Sequence, residues 1–411
     1  MTSSTAPSRS LPWLVAGFGF LVLAVAYSGR ATLGLVMPTI ETELGWSRTF
    51  LSGAAAATLV VMAALAPFAG RLVDRDGPRL VLVLGMATIG VGCFAVALSD
   101  GRMLFLIAFS GIFAVGQGIA AMHVVSTSIA HVFKENVGLA TGFATSGSTA
   151  GQILFVPLIA AVLVVGDWRW CFAAIGIACF ILVPILWRLL PDARQDPALK
   201  TSRAHRRAAL GRDLRHIVRQ PAFHILFWSF FICGYTTTGV IETHFLPFAS
   251  FCGFGPVPSA TAFGILSAVN LAGMVGVGWL TDRMNRPLLL GLIYIVRGFS
   301  FLLLVNMGAD YTALILFAVL FGTVDYSTVP VTASLVESHI GLHVMGLTMG
   351  LVSAGHSIGA ALGAFLGGLL YDLYAQYEWV WLSSLALAVL AGLMVFLIRD
   401  RSPLARAEAA A

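Results

Sequence analysis

Long apolar stretches separated by short polar segments fill almost the whole chain. Twelve of them lie near residues 12–37, 49–70, 80–99, 103–127, 138–165, 169–190, 222–250, 260–280, 288–307, 311–335, 345–370 and 377–398. A helix needs about 20 apolar residues to cross the hydrocarbon core of a membrane. Uninterrupted apolar runs exclude the alternating pattern of a membrane β-barrel. The pattern therefore predicts an all-α polytopic membrane protein with twelve transmembrane helices.

Composition and charge support this prediction and orient the chain. Of the 411 residues, 58% are hydrophobic and 10% are charged, whereas a soluble chain carries about 25% charged residues. With the N-terminus placed inside, 19 of the 24 Lys and Arg residues fall on the inner side and three fall outside. Basic residues accumulate on the cytoplasmic side. We therefore expect a bacterial-type inner (plasma) membrane protein with both termini in the cytoplasm.

Two sequence segments recur at a constant offset of 208 residues. "GLATGFATSGSTAGQ" begins at residue 138 and "GLTMGLVSAGHSIGA" at residue 346, while "GRLVDRDGPR" (70–79) matches "GWLTDRMNRP" (278–287). The repeat predicts a duplicated six-helix unit: one bundle over 1–190, a second over 222–411, and a basic cytoplasmic linker over 191–221. The spacing of four glycines is kept in both copies: Gly138, Gly142, Gly147 and Gly151, and Gly346, Gly350, Gly355 and Gly359.

The glycines have two possible roles. Helices in lipid associate through close packing of small residues, so the glycine faces predict helix-packing surfaces. They are either static contacts or a seam along which two bundles touch and separate, and conservation of the spacing between the two copies favours the seam. Duplicated helical membrane proteins are typically transporters with a site near the midplane.

The loop at residues 70–79 resembles the signature loop between helices 2 and 3 of the major facilitator superfamily. That resemblance extends to the twelve helices, the two halves and the central basic loop. It implies that the loop aspartate contacts the start of helix 11 and closes an inner gate, which agrees with the preference of a carboxylate for a helix N-terminus. The alternative is a loop that only sets topology. The implied gating residues are Asp74, Arg75, Arg79, Asp282 and Arg283.

Within that superfamily, three segments resemble the branch of monocarboxylate transporters and oxalate–formate exchangers. They are "ELGWSRTFLSG" (43–53), "GLATGFATSGSTAGQ" and "GHSIGAALGAFLGGLLYD" (355–372). Monocarboxylate transporters of the branch pair an acid with an arginine in helix 8, where this chain has Asn270 and Met274. Ala114 stands where many proton-coupled members carry an arginine in helix 4. If the substrate is an anion, its cationic ligand must lie elsewhere.

Two arginines lie within the predicted membrane segments, where ionisable groups are costly and typically functional. Arg30 is deep in the first segment, and its guanidinium can bind a carboxylate through two parallel hydrogen bonds. It is either a substrate ligand or half of a structural ion pair. For Arg297 we favour a structural role, in a buried ion pair or through hydrogen bonds to carbonyls and Tyr294, over a role in the site. His123 is likewise either a structural residue or a site residue.

Two acids, Glu242 and Asp325, are the expected partners of these arginines. Burial raises the pKa of a carboxylate and a nearby cation lowers it, so an acid between these effects could carry a proton. Substrate that arrives at Arg30 would loosen the hold of Arg30 on that acid and promote its protonation. The alternative is that the four charges cancel as structural pairs. Further candidate substrate ligands are polar residues in the same segments: Tyr27, Gln117, Gln152, Tyr235, His244 and His356.

These features predict a secondary active transporter of a small organic anion, a monocarboxylate, that works by alternating access with proton symport or exchange. The alternative is an efflux carrier of a neutral or amphipathic compound. A nucleotide loop, a metal cluster and a nucleophile triad are missing from the sequence, so we expect no enzymatic activity, no cofactor and no metal. The five cysteines are scattered and predict packing roles. We expect a monomer that contacts membrane lipid and binds no nucleic acid.

Overall fold

Twelve long helices account for nearly all of the part of the chain that the computed structural model describes, residues 10–190 and 210–400. The predicted linker therefore lies largely outside the described residues. Eleven helices in the described part are long and apolar enough to cross a membrane, and α5, with 29 residues, is the twelfth. In order they are α1 (Ser10–Leu44), α2 (Arg48–Asp76), α3 (Pro78–Ala97), α4 (Arg102–Val132), α5 (Val137–Val165), α6 (Trp168–Leu189), α7 (Pro221–Phe251), α8 (Pro256–Thr281), α9 (Arg286–Val305), α10 (Tyr311–His339), α11 (Met345–Tyr374) and α12 (Glu378–Val395). A short helix, Leu210–Val218, precedes α7.

Local sequence signals explain where several helices begin and end. The Ser47 hydroxyl accepts a hydrogen bond from the Phe50 amide at 3.3 Å, and the Asn285 side chain accepts one from the Leu288 amide at 2.9 Å. Such caps satisfy amides that have no partner within the helix. Between α2 and α3, Gly77 adopts a φ of 79°, which favours glycine, and Pro78 then starts α3.

Three of the long helices are irregular at mid-length. α4 contains a π-helical segment, Ile107–Phe113, and α7 contains another, Tyr235–Ile241. α10 is interrupted between Val324, where one helical segment ends, and Thr328, where the next begins. Irregular backbone at membrane depth is tolerated where it lines a cavity or is satisfied by neighbouring groups, and it commonly marks a binding site.

Corresponding helices of the two halves make corresponding contacts. In the first half α1 packs against α5 and α3 against α6, and in the second half α7 packs against α11 and α9 against α12. The contacts between halves are also matched, because α2 packs against α11 and α8 packs against α5. The predicted fold of two pseudo-symmetric six-helix bundles is confirmed.

The eight repeated glycines lie at helix contacts, but they fall into two groups. A Cβ atom at Gly138 or Gly142 would collide with the backbone of α8, and one at Gly346 or Gly350 with the backbone of α2. These four glycines line the seam between the halves. The other four pack within their own half: Gly147 and Gly151 against α1, and Gly355 and Gly359 against α7.

Candidate functional site

Two aspartates join the halves through a pair of equivalent contacts. The Asp74 carboxylate accepts hydrogen bonds from the backbone amides of Gly346 and Leu347 at 2.8 and 2.9 Å. The Asp282 carboxylate accepts hydrogen bonds from the amides at positions 138 and 139, again at 2.8 and 2.9 Å. Each carboxylate thus sits at the N-terminus of a helix in the opposite half, where the helix dipole favours negative charge. We call these contacts the aspartate latches, and the side of the bundle that carries them the latch side.

The loop arginines contact nearby groups on the latch side. Arg75 Nε donates to Asp76 Oδ2 at 2.7 Å, and the Arg79 guanidinium lies 4.4 Å from the centroid of the Trp187 ring. Arg283 lies 4.3 Å from the Trp279 ring and donates to the carbonyl of that tryptophan at 3.1 Å. The gating role of these residues remains a prediction.

An ion pair joins the two halves at the centre of the bundle. Arg30 Nη2 in α1 lies 3.2 Å from Glu242 Oε2 in α7, and the two side chains are 31% and 28% exposed. The Tyr326 hydroxyl donates to Glu242 Oε1 at 2.7 Å and lies 3.2 Å from Thr238 Oγ1. The predicted pairing of Arg30 with an acid is therefore present. Because the pair is partly exposed, it can exchange partners at a lower cost than a fully desolvated pair could.

Two cavities flank this ion pair, and Arg30 lines both. The outer cavity, on the side away from the latches, has a volume of about 210 Å³ and includes Tyr27, Gln152, Glu242 and Asp325. The inner cavity, toward the latch side, has a volume of about 70 Å³. Its lining includes Tyr27, His123, Cys233, Ser353 and His356. The structure thus brings Arg30, Tyr27, Gln152, His356, Glu242, Asp325 and His123 together around one central space.

Three predicted ligands lie outside both cavities. Gln117 is buried, and its side-chain amide donates to the carbonyl of Ala26. His244 Nε2 lies 3.0 Å from the Ala364 carbonyl, in the packing between α7 and α11. Tyr235 is buried in an apolar cluster of the second half. The structure places these side chains in helix packing.

Arg297 donates hydrogen bonds to the backbone carbonyls that are freed at the interruption of α10. It is 0% exposed, and its Nη2 donates to the backbone carbonyls of Val324, at 2.6 Å, and Asp325. Its Nη1 donates to Cys233 Sγ at 2.9 Å. The predicted hydrogen bonds to carbonyls are present, and Tyr294 contributes its ring, 5.5 Å from the guanidinium. Since a freed carbonyl in a membrane interior must find a donor, this geometry accounts for Arg297 structurally.

Asn270 is a central residue that sequence reasoning considered only as a missing acid. Its side-chain amide donates to Thr149 Oγ1 of the first half at 3.2 Å and to Asp325 Oδ2 at 3.5 Å. Its carbonyl oxygen accepts from the Tyr326 amide at 3.2 Å. Both Asn270 and Asp325 are buried, at 2% and 4% exposed. Asn270 therefore connects the acid at the α10 interruption to the opposite half.

The described residues contain no group of three or more His, Cys, Asp or Glu side chains arranged to hold a metal ion. The charged groups that line the two cavities are the guanidinium of Arg30, which both cavities share, and the carboxylates of Glu242, which is partly exposed, and Asp325, which is buried. Such a set can bind a small anion through the guanidinium.

Comparison with known proteins agrees with this architecture. The chain is 24% identical over 340 residues to the MFS-type transporter YcxA of Bacillus subtilis (strain 168), which covers 81% of this chain and 82% of that protein. It is 26% identical over 287 residues to monocarboxylate transporter 11 of Mus musculus, covering 69% of this chain and 62% of the relative. It is also 26% identical over 338 residues to the gallate transporter of Pseudomonas putida, covering 74% and 72%.

The fold is shared with a solved transporter. The proton:xylose symporter XylE superposes with a TM-score of 0.79 at 16% identity, over 95% of this chain and 96% of that protein. The family model of the Major Facilitator Superfamily matches residues 19–352, with a second match over residues 294–411. Together with the matched aspartate latches and the two equivalent halves, these similarities identify the chain as a secondary transporter, not an enzyme, that belongs to the Major Facilitator Superfamily.

Proposed function

We propose that this transporter moves a small monocarboxylate by alternating access, with Arg30 as the ligand of the substrate carboxylate. The observation that carries the proposal is the partly exposed Arg30–Glu242 ion pair between the two cavities. Among the described residues, Glu242 is the one side chain that accepts a hydrogen bond from Arg30. The remaining donors of the guanidinium fork can therefore bind a carboxylate through two hydrogen bonds. The similarity to proteins named for monocarboxylate and gallate transport supports an organic anion.

Binding of the substrate would couple to proton movement through Glu242. A substrate carboxylate at Arg30 competes with Glu242 for the same cation, and a carboxylate that loses its cation takes up a proton more readily. The Tyr326 hydroxyl, 2.7 Å from Glu242 Oε1, would hold the released side chain in place. Asp325 is the second acid in this proposal, because Asn270 ties it to the first half.

Alternating access also requires that one side of the bundle is closed while the other is open, and the aspartate latches would supply the closed side. They would close the bundle on the latch side, while in the outer cavity Gly34 is exposed and the Glu242 side chain is partly exposed. With the latch side placed in the cytoplasm, as the distribution of basic residues predicts, this arrangement corresponds to an outward-facing state. Both bundles, over 1–190 and 222–411, would then tilt along the glycine seam.

Uptake of labelled carboxylates into proteoliposomes tests the proposal. Arg30→Ala and Arg30→Lys should abolish saturable uptake, because an ammonium group cannot replace a bidentate guanidinium. Arg102→Ala is the matched control, since Arg102 is exposed and lies outside both cavities. Glu242→Gln and Asp325→Asn should retain exchange and lose accumulation driven by a pH gradient.

Unchanged carboxylate uptake by both Arg30 variants would refute the assignment of Arg30. Absence of carboxylate uptake by the wild-type protein, with uptake or efflux of uncharged or amphipathic compounds, would favour the alternative function. In that case the ion pair of Arg30 and Glu242 would be structural.

A further inference from the structure

A short helix lies at the end of the segment that joins the two halves. It spans Leu210–Val218, and the membrane-spanning helix α7 begins shortly after it, at Pro221. We call this element the linker helix. With the latch side placed in the cytoplasm, as the basic residues predict, the linker helix lies at the inner surface of the membrane.

The linker helix has an apolar face and a basic face. Leu210, Leu214 and Val218 follow one another at intervals of four residues, which places them on one face. Leu210 and Val218 are 41% and 49% exposed, whereas Ile217 beside them is buried. A helix with apolar residues on one face and basic residues on the other lies in the plane of a membrane surface. The basic face carries three exposed arginines: Arg212, Arg215 and Arg219, which directly follows the helix.

The charge of this surface is large and largely uncompensated. None of the three arginines forms an ion pair with a residue that the structure describes. The sequence from 200 to 219 holds seven Lys and Arg residues, and Asp213 is its one acid. Clusters of about four to eight basic residues next to a membrane helix recognise anionic lipid headgroups on the cytoplasmic side. The surface therefore complements an anionic phospholipid.

The linker helix also contacts the segment that forms one of the aspartate latches. His216 Nε2 lies 3.0 Å from the Ile340 carbonyl, and the His216 ring lies 5.4 Å from the ring of His343. His343 belongs to a single helical turn, Leu342–Val344, that leads directly into α11. The first amides of α11 bind the carboxylate of Asp74. The helix therefore packs on the loop that presents these amides.

We propose that the arginine face of the linker helix binds anionic phospholipid headgroups and thereby favours the closed state of the latch at Asp74. Lipid bound to the arginines holds the helix in place, and His216 then holds the loop before α11 in the position that it has in the closed state. A ligand that binds one of two conformations better shifts the protein toward that conformation. The inference rests on the closing role of the latches under the proposed function, but not on Arg30 or on the substrate.

Photocrosslinking tests the lipid site on the full chain. In phosphatidylcholine vesicles with a trace of photoactivatable phosphatidylglycerol, crosslinks should form on the peptide that contains residues 210–219. Replacing Arg212, Arg215 and Arg219 together by Gln should reduce these crosslinks at least about tenfold, because each arginine near an anionic surface contributes about fivefold. A control variant with the same loss of charge replaces three other exposed basic residues by Gln and should keep the crosslinks: Lys134, Arg188 and Arg399.

The effect on the latch is measured at Cys233, which lines the inner cavity. A membrane-impermeant maleimide on the latch side should modify Cys233 about fivefold more slowly in vesicles that contain phosphatidylglycerol than in phosphatidylcholine alone. That factor corresponds to one hydrogen bond, the contact of His216 with the Ile340 carbonyl. The variant with three Gln residues and His216→Leu should both lose the lipid dependence, but His216→Leu should keep the crosslinks.

Each contrary result overturns a stated part of the inference. No crosslinks in the wild-type protein would overturn the lipid site and favour an acidic protein as the partner of the arginine face. Equal crosslinking of the wild type and the variant with three Gln residues would also overturn the site. A Cys233 rate that does not depend on phosphatidylglycerol would overturn the link to the latch. Because no carboxylate enters these measurements, they remain valid even if the proposed substrate is wrong.

Discussion

Replacement of Asp74 by asparagine tests the aspartate latches with little change in side-chain size. In the structure both carboxylate oxygens accept hydrogen bonds from amides of α11, at 2.8 and 2.9 Å. Asparagine has one acceptor oxygen, and its amide nitrogen would face a backbone donor. The substitution therefore removes one hydrogen bond between the halves and the negative charge at the helix N-terminus.

The size of the effect follows from these two losses. A hydrogen bond to a charged group contributes about 1.5–3 kcal/mol, and a charge at a helix terminus contributes about 0.3–1 kcal/mol. The closed state should lose about 2–4 kcal/mol relative to a state that is open on the latch side. Even the lower value raises the open population about 30-fold. The Asp282 latch remains, so the double substitution should shift the equilibrium further.

Cys233 provides a native probe for this opening. It lines the inner cavity behind the latches and is 1% exposed in the closed structure. In oriented vesicles, a membrane-impermeant maleimide on the latch side should modify Cys233 about 30-fold faster in Asp74→Asn than in the wild-type protein, at reagent concentrations where opening and closing are fast relative to the modification. Mass spectrometry separates this site from Cys93, Cys171, Cys179 and Cys252.

Asp310→Asn is the matched control, because Asp310 caps α10 by accepting from the Thr312 amide at 2.8 Å. That contact lies within one half and does not connect the two halves, so the rate of maleimide modification at Cys233 should not change. Labelling at the wild-type rate in Asp74→Asn and in the variant with both aspartates replaced would refute the latch mechanism.

Three further predictions concern the seam, the α10 interruption and the acid network. Gly142→Val should speed modification of Cys233, because the added side chain would displace α8 of the other half. Gly151→Val should instead lower the melting temperature, because it overpacks the contact with α1 within one half and costs about 1–3 kcal/mol of stability. Identical behaviour of the two variants would contradict the division of the glycines into two groups. Arg297→Met should lower the melting temperature with and without substrate, since two carbonyls lose their donor at about 1–3 kcal/mol each, and a variant as stable as the wild type would refute this role. Asn270→Leu should weaken pH-driven accumulation while substrate still stabilises the protein against heat, and intact accumulation would exclude Asn270 from coupling.

The fold could be predicted from the sequence because membrane helices are specified by long apolar runs and the duplication repeats them. The contact of Asp74 with the start of α11 was implied by the resemblance of the loop at residues 70–79 to the signature loop of the superfamily, whereas the equivalent contact of Asp282 with α5 became visible only in the structure. The division of the glycines could not be predicted. Gly142 and Gly147 belong to one motif with one spacing. Their roles differ because α5 packs against α8 at Gly142 and against α1 at Gly147.

Helix geometry explains why two of the candidate ligands, His244 and Tyr235, lie outside the cavities. His244 lies two residues after Glu242, and residues two apart on a helix do not face the same side. Tyr235 lies seven residues before Glu242, which would place both on one face of a regular α-helix. The π-helical segment Tyr235–Ile241 changes that register, and no sequence pattern indicated the segment.

Asn270 was missed because its importance depends on contacts across the bundle. In sequence it is one polar residue in an apolar helix, at a position where the related branch carries an acid. Its hydrogen bonds reach Thr149 in α5 and Asp325 in α10, and helix contacts of this kind become visible only once the halves are assembled.

The central claim is that two equivalent halves tilt against each other about the Arg30–Glu242 pair. Distances between spin labels at two pairs of exposed positions test it most directly: Lys134 with Met284 near the latches, and Thr42 with Ser250 on the opposite side. When both latch aspartates are replaced by asparagine, the distance between Lys134 and Met284 should increase and that between Thr42 and Ser250 should decrease. Two unchanged distances, or two that change in the same direction, would contradict the account.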